Sequence, residues 1–589
     1  MPKGSEDRVT LLSWTKMAPA VEGKDPLGLM GRVSNRLANQ LLFCITSITP
    51  RARYYSFLPW CVADYRRRVK GRSFDRGLDD AVRLRERAYA LGCIAHHAGE
   101  PCLGGRLVGT REARKWYMHR GSDVPKLTKL SFTETPALNN YYRSLVNLGL
   151  FVEHEDLGAE AASEEAVGFT FDDLELTDQG QSLASHYSRA INDLQCVRKI
   201  ATQPDDCTLK ELAAWGAHGG LCELADGGPE LRILREIFFD DNGTSGAAHR
   251  LRRDTLVLLL DLLPQFGGSN LPLDMYTFND ATHFGEVAAD RGGDEIVGIK
   301  INPKLRDIAN RWRMFHFHYY LSVALETLFV LTVRRAREAG LRGVDLGELV
   351  AGLGSPATQK TIGRLLECRL PRNFLDMAPR EIGSACGVSV PTADAAASEE
   401  FDKQVRLLHP LSESRLDYLI RNEAGFDTPE GAGLGLVMLS SMLMRYVRWE
   451  QTDFGRWLGN AVEDSYKDAA APPMLAQIRS RSGDFWSKPW RELSPYILNR
   501  FVIRLHEALS LEKPGSGVKA FFQSDQRRVY WRGPRYDRIA VTNSRLGSAL
   551  QILVDLGYAA RKAGARDMYR PTTEGEGRLS SELQKMGGE

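Results

Sequence analysis

Two widely separated segments of the chain contain the same sequence signals in the same order. Each has a helical apolar pattern that stops at a glycine, in Leu148-Gly149-Leu150 and in Leu556-Gly557-Tyr558. A helix that turns sharply into a strand needs a left-handed residue at its end, and glycine has no Cβ to forbid that conformation. Each segment is therefore predicted to run from a helix into a β-hairpin and then into a second helix.

The predicted elements follow the same order in both copies. In the first copy an acidic loop separates the two strands, and the last helix opens at Thr177-Asp178-Gln179-Gly180. In the second copy a tight basic turn separates them, and the last helix opens between Thr573 and Gly577. The predicted bounds are 139–148, 150–152, 168–176 and 177–190 in the first copy, and 543–556, 558–561, 568–571 and 573–583 in the second.

This order of elements resembles the winged-helix superfamily, in which a recognition helix runs through a glycine into a strand, a wing and a helix opened by a Leu-Thr-x-x-Gly pattern. The resemblance covers about residues 131–187 and 515–583. It implies a mainly α, multi-domain helical protein with two small winged-helix (α+β) units. It also implies that the chain handles nucleic acid or scaffolds a complex that does.

In that family the recognition helix lies in the major groove, and its polar face contacts base edges or phosphates. The resemblance assigns this face, residue by residue, to Asn139, Asn140 and Arg143 in the first copy, and to Asn543, Ser544, Arg545 and Ser548 in the second.

Charge separates the two copies. Residues 150–178 hold ten acidic side chains and no Lys or Arg, an excess that would repel phosphate. Residues 518–570 hold eleven Lys or Arg against four acidic side chains. The first copy is therefore predicted to bind protein. The second wing is predicted to contact double-stranded DNA through Arg561, Lys562, Arg566 and Arg570.

The run from Arg51 to Trp60 is the densest mixture of arginines and aromatic residues in the chain. Arginines interleaved with aromatic side chains can hold phosphates and stack on bases, so Arg51 and Arg53 are candidate nucleic-acid contacts. The alternative is an amphipathic helix, since Tyr54, Phe57 and Trp60 are three residues apart and would share one buried face. The segment also resembles uncharacterised bacterial proteins found with phage-defence genes.

Length and periodicity predict several helical domains. The 589 residues are 43% hydrophobic and 26% charged, as in an ordinary soluble globular protein, and the net charge of +2 excludes no class of partner. The Ala/Ser-rich residues 390–399 and residues 469–473 are the predicted linkers. The predicted regions are a helical region with the basic and aromatic segment (1–130), a winged unit (131–190), two helical domains (191–395 and 396–510) and a second winged unit (511–589).

Cysteine usage and hydropathy predict a cytoplasmic protein that does not contact membranes. The nine cysteines are scattered and lack a C-x-x-C pair, which favours a reducing compartment. Residues 1–20 carry five charges and no apolar signal-peptide core. The longest apolar runs, 319–333 and 434–447, are too short to span a membrane and are predicted to be buried helices.

One short segment combines metal-capable side chains, namely Cys93, His96, His97 and Cys102. A single short loop seldom supplies all the ligands of a tetrahedral site, so no metal is predicted there. The four residues are the candidate ligands if the chain does bind zinc.

The leading hypothesis is a non-catalytic DNA-binding or scaffolding subunit of a bacterial multiprotein complex that defends against phage or plasmids. A winged unit near each end, with helices between, also resembles the kleisin-type subunits that bridge SMC-type ATPases, which would make such an ATPase a partner. The alternative is an effector enzyme, either a divergent nuclease or a zinc-dependent one. No cofactor and no catalytic residue is predicted, because the chain shows no Ser-His-Asp pattern and no H-E-x-x-H motif.

Overall fold

Most of the residues that the structure describes are helical, as the periodicity predicts. The structure is a computed structural model, and among the residues it describes the strands are short and form small antiparallel sheets. It describes residues 25–29, 34–47, 50–69, 77–99, 108–131, 137–152, 174–222, 224, 226–241, 246–289, 295–389, 394–450, 471–482, 485–512, 521–525, 528–533, 536, 539, 544–562, 565 and 567–587.

The elements alternate between long core helices and short connecting ones. In chain order the helices are α1 (Asn35–Leu41), α2 (Tyr54–Val69), α3 (Leu78–His96), α4 (Thr110–Met118), α5 (Ala137–Asn147), α6 (Asp178–Ile191), α7 (Gln195–Lys199), α8 (Leu209–Gly219), α9 (Pro229–Phe239), α10 (Ala247–Gly268), α11 (Met275–Phe284), α12 (Arg306–Ala339), α13 (Leu346–Gly352), α14 (Pro356–Leu365), α15 (Pro379–Ala385), α16 (Asp394–Gln404), α17 (Glu413–Leu419), α18 (Pro429–Glu450), α19 (Ala471–Ser482), α20 (Trp490–Ile497), α21 (Arg504–Glu512), α22 (Leu546–Asp555) and α23 (Thr573–Lys585). The strands are β1 (Glu286–Ala288), β2 (Ile296–Gly298), β3 (Val344–Asp345), β4 (Phe522–Ser524), β5 (Arg528–Trp531), β6 (Ala559–Arg561) and β7 (Tyr569–Pro571).

The chain divides into two compact units, and neither is continuous in sequence. Leu37–Arg313 and Asn543–Glu589 form one, here called the repeat unit because it holds both copies of the repeated segment. Met314–Thr542, with the described residues before Leu37, form the other, here called the middle unit. The five predicted regions therefore do not correspond to separate compact units, and the predicted region 511–589 is divided between the two.

The core of the repeat unit is aromatic. Tyr54, Phe57 and Trp60 of α2 are all buried, as their three-residue spacing predicts for one helix face. The Phe57 ring stacks on Tyr89 of α3 with the ring centroids 4.3 Å apart. The Trp60 ring meets Trp215 of α8 edge-on at 5.5 Å. The prediction that Tyr54, Phe57 and Trp60 enter the core is therefore confirmed, but residues 51–60 do not form an amphipathic helix with solvated arginines, because all ten residues are buried.

A three-stranded sheet of the middle unit explains why the predicted C-terminal region is divided. Strands β4 and β5 form a hairpin, and β3 adds to the other edge of β5, where Val344 pairs with Val529. Strand β5 is thus paired with a strand near residue 344, and β4 is paired with β5. This pairing places them in the middle unit.

Both long apolar runs lie in buried helices, as predicted. Residues 319–333 of α12 and residues 434–447 of α18 are buried throughout. Among the described residues, Pro303–Arg342 is the one helical stretch long and apolar enough to cross a membrane, and its apolar window is entirely buried inside the protein. Such complete burial is typical of a helix in a protein core.

The two predicted linkers do not separate compact units, because both lie within the middle unit and a helix begins inside each of them. Helix α16 begins at Asp394, inside the Ala/Ser-rich residues 390–399, and α19 begins at Ala471, inside residues 469–473. Residues 390–393 and 469–470 lie outside the described part of the chain. Alanine has the highest helix propensity, so an alanine-rich stretch next to packed helices extends them instead of separating domains.

Candidate nucleic-acid interface

Each copy of the repeat joins its first helix to its second through a defined set of hydrogen bonds. In the first copy Gly149 follows α5 with a φ of 67°. The Thr177 hydroxyl donates to the Gly149 carbonyl at 2.5 Å, and the Thr177 amide donates to the Leu150 carbonyl at 3.2 Å. The Gly180 amide donates to the Thr177 hydroxyl at 3.1 Å, which caps the start of α6.

The second copy repeats these bonds. Gly557 follows α22 with a φ of 75°. The Thr572 hydroxyl donates to the Gly557 carbonyl at 2.6 Å, and the Thr572 amide donates to the Tyr558 carbonyl at 3.1 Å. The Gly575 amide donates to the Thr572 hydroxyl at 3.1 Å. The two copies therefore share one local structure. The last helix begins at Thr573 as predicted, and Thr572, its N-cap, is the residue equivalent to Thr177.

The glycine at the third position after each threonine is a packing requirement. A Cβ added at Gly180 would lie 2.0 Å from the Leu150 carbonyl oxygen, and one added at Gly575 would lie 2.1 Å from that of Tyr558. Any side chain at these positions would push the second helix off the strand. This close approach is the physical reason for the Thr-x-x-Gly pattern in both copies.

The hairpins of the two copies differ in how much of them is described. In the first copy Phe151 and Leu176 form an isolated antiparallel bridge, and residues 153–173, with most of the predicted acidic wing, lie outside the described part. In the second copy β6 and β7 pair antiparallel, with Ala560 opposite Arg570.

Helix α22 does not present the polar face that a recognition helix needs. Ser544 and Ser548 are 4% and 5% exposed. Arg545 is half-buried, and its Nη1 donates to the Ile45 carbonyl at 3.0 Å. Asn543 lies outside the described residues. The prediction that this face contacts nucleic acid is therefore wrong for Ser544 and Ser548, because both side chains are buried.

Arg51 and Arg53 are not at the surface either, being 0% and 1% exposed. Arg51 Nε donates to Asp555 Oδ2 at 2.9 Å, and its Nη2 donates to the Leu221 carbonyl at 3.0 Å. Arg53 Nη2 donates to Glu230 Oε2 at 3.2 Å. Their assignment as nucleic-acid contacts is therefore wrong, because both guanidinium groups bond to buried groups of the repeat unit.

Helix α5 of the first copy keeps its predicted polar face at the surface. Asn139 is exposed, and Asn140 and Arg143 are half-buried. The opposite face, which includes Tyr141 and Leu145, is buried. This arrangement leaves polar side chains available on α5 but not on α22.

A buried carboxyl group lies at the start of α5. Glu86 of α3 accepts a hydrogen bond from the Ala137 amide at 2.7 Å, at the first residue of the helix. Burial raises the pKa of the Glu86 carboxyl from its usual 4.5 to about 8. Desolvation of the charged form outweighs the backbone amides that favour it.

Glu86 predicts a pH-dependent stability of the repeat unit. The folded state holds a proton that the unfolded state releases between its pKa of 4.5 and the folded value of about 8. The contribution of protonated Glu86 to stability is therefore fully present below pH 4.5, and it is lost as the pH rises through 8. We expect Glu86→Gln, which stays neutral, to lose this slope. Urea unfolding of both proteins between about pH 5 and pH 9 measures the difference. Parallel stability curves for the two proteins would contradict the prediction.

The second hairpin carries cations at the surface. We call β6, β7 and their turn, residues 559–571, the basic hairpin. Arg561, Lys562 and Arg570 are exposed, and Lys562 Nζ donates to Asn270 Oδ1 at 2.8 Å. None of these three side chains forms an ion pair with a carboxylate that the structure describes. Arg566 lies outside the described residues.

The basic hairpin is held on the repeat unit by the buried Tyr569 side chain and by backbone contacts. Tyr569, opposite Arg561 in the pairing register, is only 6% exposed. A Cβ added at Gly267 of α10 would lie 3.3 Å from the Tyr569 carbonyl oxygen, so the strand lies directly on that helix. The Leu273 amide donates to the Asp567 carbonyl in the turn at 2.8 Å. These contacts position the hairpin on rigid elements while its cations remain in water.

The predicted metal ligands are only partly brought together. His96 and His97 lie beside Cys222, and one ligand atom from each of the three lies within 4.8 Å of the others. Cys93 is buried in α3 and is not part of this group, and Cys102 lies outside the described residues. Among the described residues, the structure therefore groups the two histidines with Cys222 and not with Cys93.

Sequence reasoning missed the residues that arrive from distant parts of the chain. Asp555, Glu230 and Cys222 belong to no local motif, and each acts on residues near 51 or 97. The spacing of residues along the sequence does not predict such pairs, since the partners are more than a hundred positions apart.

Comparison with known proteins adds no further assignment, since no family model, no curated protein and no solved structure shows a significant match to this chain.

Proposed function

We propose that the chain is a non-catalytic subunit of a bacterial multiprotein complex, and that it binds double-stranded DNA through the basic hairpin. The exposure of Arg561, Lys562 and Arg570, without a carboxylate partner among the described residues, carries this proposal. Other arginines of the repeat unit are neutralised internally, as Arg578 is by Asp241. A local cluster of uncompensated cations attracts a polyanion, and the phosphate backbone is the common one.

The repeated helix, hairpin and helix support an assignment of both copies to the winged-helix superfamily, with the basic hairpin as the second wing. Because α22 is buried, it is not available to read base edges in a groove. The proposed contacts are therefore to phosphates, which carry no sequence information by themselves. We propose binding with little sequence preference and a steep dependence on salt.

The first copy is proposed to dock a protein partner. Its helix α5 keeps Asn139 exposed, and residues 150–178 carry ten acidic side chains without a Lys or Arg. Acidic surface repels phosphate but suits a basic protein surface. The proposed role in defence against phage or plasmids rests on the resemblance of residues 51–60 to proteins found with phage-defence genes.

The test is a charge reversal of the basic hairpin. We expect the triple variant Arg561→Glu/Lys562→Glu/Arg570→Glu to weaken binding to a DNA duplex by at least about 100-fold, because each charge-assisted contact contributes about 1.5–3 kcal/mol. The slope of log affinity against log salt should fall by about 2–3, at about 0.9 for each lost phosphate contact. Fluorescence anisotropy with a labelled duplex over a series of salt concentrations measures both quantities.

A matched control separates this contact from a general charge effect. Arg111, Lys115 and Lys210 are exposed in the same unit but lie on α4 and α8. The variant Arg111→Glu/Lys115→Glu/Lys210→Glu changes the net charge equally and should bind as the wild type does. Equal losses in the two variants, or no loss in the first, would reject the basic hairpin as the contact.

The kleisin-type bridge, with an SMC-type ATPase as partner, stays a prediction. Both copies belong to the same compact unit, whereas a bridge between two ATPases needs two separable docking units. We therefore do not extend the proposal to it. Isolation of the native complex would decide the matter, since a stoichiometric ATPase of that type would restore the bridging hypothesis.

A further inference from the structure

Helices α3 and α8 approach each other so closely that only glycine fits between them. A Cβ added at Gly216 would lie 2.2 Å from the Gly92 carbonyl oxygen and 2.8 Å from the Cβ of His96. A Cβ added at Gly92 would lie 2.5 Å from the Leu212 carbonyl oxygen. Since Gly92 and Gly216 both lie near the C-terminal ends of their helices, this contact brings those ends together.

The end of α3 presents two neighbouring imidazole rings. His96 is the last residue of the helix, and His97 follows it as the C-cap. The Gly99 amide donates to the Ile94 carbonyl at 2.9 Å, which closes the end of the helix. The two histidine rings lie with their centroids 4.6 Å apart, and both side chains are half-buried.

The end of α8 is held by the two buried arginines. Arg53 donates from Nη1 to the Gly220 carbonyl at 2.7 Å and from Nη2 to the His218 carbonyl at 3.2 Å. Arg51 donates to the Leu221 carbonyl at 3.0 Å. Cys222 is the next residue. It directly follows a turn whose carbonyl groups accept hydrogen bonds from the two arginines. The position of the thiol is therefore set by buried groups and not by a free loop.

The three side chains meet at distances that suit one small cation. His97 Nε2 lies 3.1 Å from Cys222 Sγ, and a ligand atom of His96 completes a group within 4.8 Å. Zinc binds imidazole nitrogen at about 2.0–2.1 Å and thiolate sulfur at about 2.3 Å, which places tetrahedral nitrogen and sulfur ligands about 3.5 Å apart. Small side-chain rotations of half-buried residues reach that geometry.

We propose that His96, His97 and Cys222 bind one zinc-type divalent cation, through the Cys222 thiolate and one ring nitrogen of each histidine. Imidazole and thiolate ligands select zinc over magnesium or calcium, which take oxygen ligands. Binding releases the thiol proton to solvent. Three protein ligands would leave a fourth position of the cation for water. The inference is independent of DNA binding by the basic hairpin.

The experiment uses the full chain, equilibrated with Zn²⁺ and then freed of excess metal by gel filtration. We expect about one zinc per chain by elemental analysis. Cys222→Ser and His97→Ala should each weaken Zn²⁺ affinity by more than about 100-fold, since loss of a direct ligand costs more than the 10–100-fold typical of a supporting residue. With Co²⁺ as the probe, a thiolate-to-metal charge-transfer band should appear in the wild type and be absent from Cys222→Ser.

Cys93→Ser is the matched control, because Cys93 lies on the same helix one turn before His97 but outside the group. It should retain both the zinc and the cobalt band. Zinc should also raise the thermal midpoint of the wild type and of Cys93→Ser, but not that of His97→Ala, which distinguishes loss of a ligand from loss of the fold. A wild type without zinc, or equal zinc contents in the wild type and both ligand variants, would overturn the proposal.

Discussion

Replacing Arg51 with alanine is expected to destabilise the repeat unit by about 3–5 kcal/mol, because it leaves the Asp555 carboxylate buried without its counter-charge. The side chains of the pair are 0% and 1% exposed, and Arg51 Nε donates to both carboxylate oxygens, at 2.9 and 3.1 Å. The Ala52 amide also donates to Asp555, at 2.9 Å, so the carboxylate anchors this turn to α22. Urea unfolding at neutral pH measures the loss.

Two further variants test the cause of this effect. Arg198→Ala removes an exposed arginine, paired with Asp193 at 3.5 Å, and should change stability by less than about 1 kcal/mol. Arg51→Met/Asp555→Leu removes both charges and should recover a large part of the loss, because an apolar pair needs no solvation. A single variant as stable as the wild type would show that the buried pair does not hold the unit together.

Replacing Arg445 with alanine is expected to destabilise the middle unit by a similar amount, about 3–5 kcal/mol. Arg445 of α18 donates to both oxygens of Glu413 at 2.7 and 2.9 Å, and to Asp402 at 2.7 Å. Its Nη2 donates to the Val405 carbonyl at 2.7 Å. Without the guanidinium, the fully buried Glu413 carboxylate has no counter-charge that compensates for its lost hydration. Hydrogen exchange of the amides in α16, α17 and α18 should show the loss of protection.

The control for Arg445 is a surface ion pair of the same unit. Arg491 Nε lies 2.8 Å from Asp376, but both side chains are about half exposed. Arg491→Ala should therefore leave exchange in α16 to α18 unchanged. Wild-type protection of these helices in Arg445→Ala would mean that α16 and α17 are held to α18 by their apolar contacts alone.

Local signals were sufficient to predict the helices of both copies and the hairpin of the second copy. Gly149 and Gly557 end their helices with positive φ, as a helix-to-strand turn requires, and the hairpin at 559–571 follows as predicted. The buried face of α2 also follows from the spacing of Tyr54, Phe57 and Trp60. Each of these features depends on residues within a few positions of one another, where periodicity and turn chemistry act.

The functional assignments depended on whether a side chain is buried by distant parts of the chain. Local sequence patterns do not predict that burial. Ser544 and Ser548 look like a polar surface face, but small hydroxyl side chains are tolerated in a packed interior when they are hydrogen-bonded. Arg51 looked like a phosphate contact because its partner, Asp555, lies 504 positions away. Of the predicted cations of the basic hairpin, Arg561, Lys562 and Arg570 are exposed, and their contact with nucleic acid stays a prediction.

The repeat unit is completed by residues that are synthesised long after its first helices. Translation proceeds at about 5–20 residues per second, so roughly 25–100 s separate the synthesis of Arg51 from that of Asp555, 504 residues later. During that interval the turn at Arg51 lacks the Asp555 carboxylate, while residues 314–542 of the middle unit are synthesised. The repeat unit is therefore expected to acquire protease resistance only after α22 has been translated.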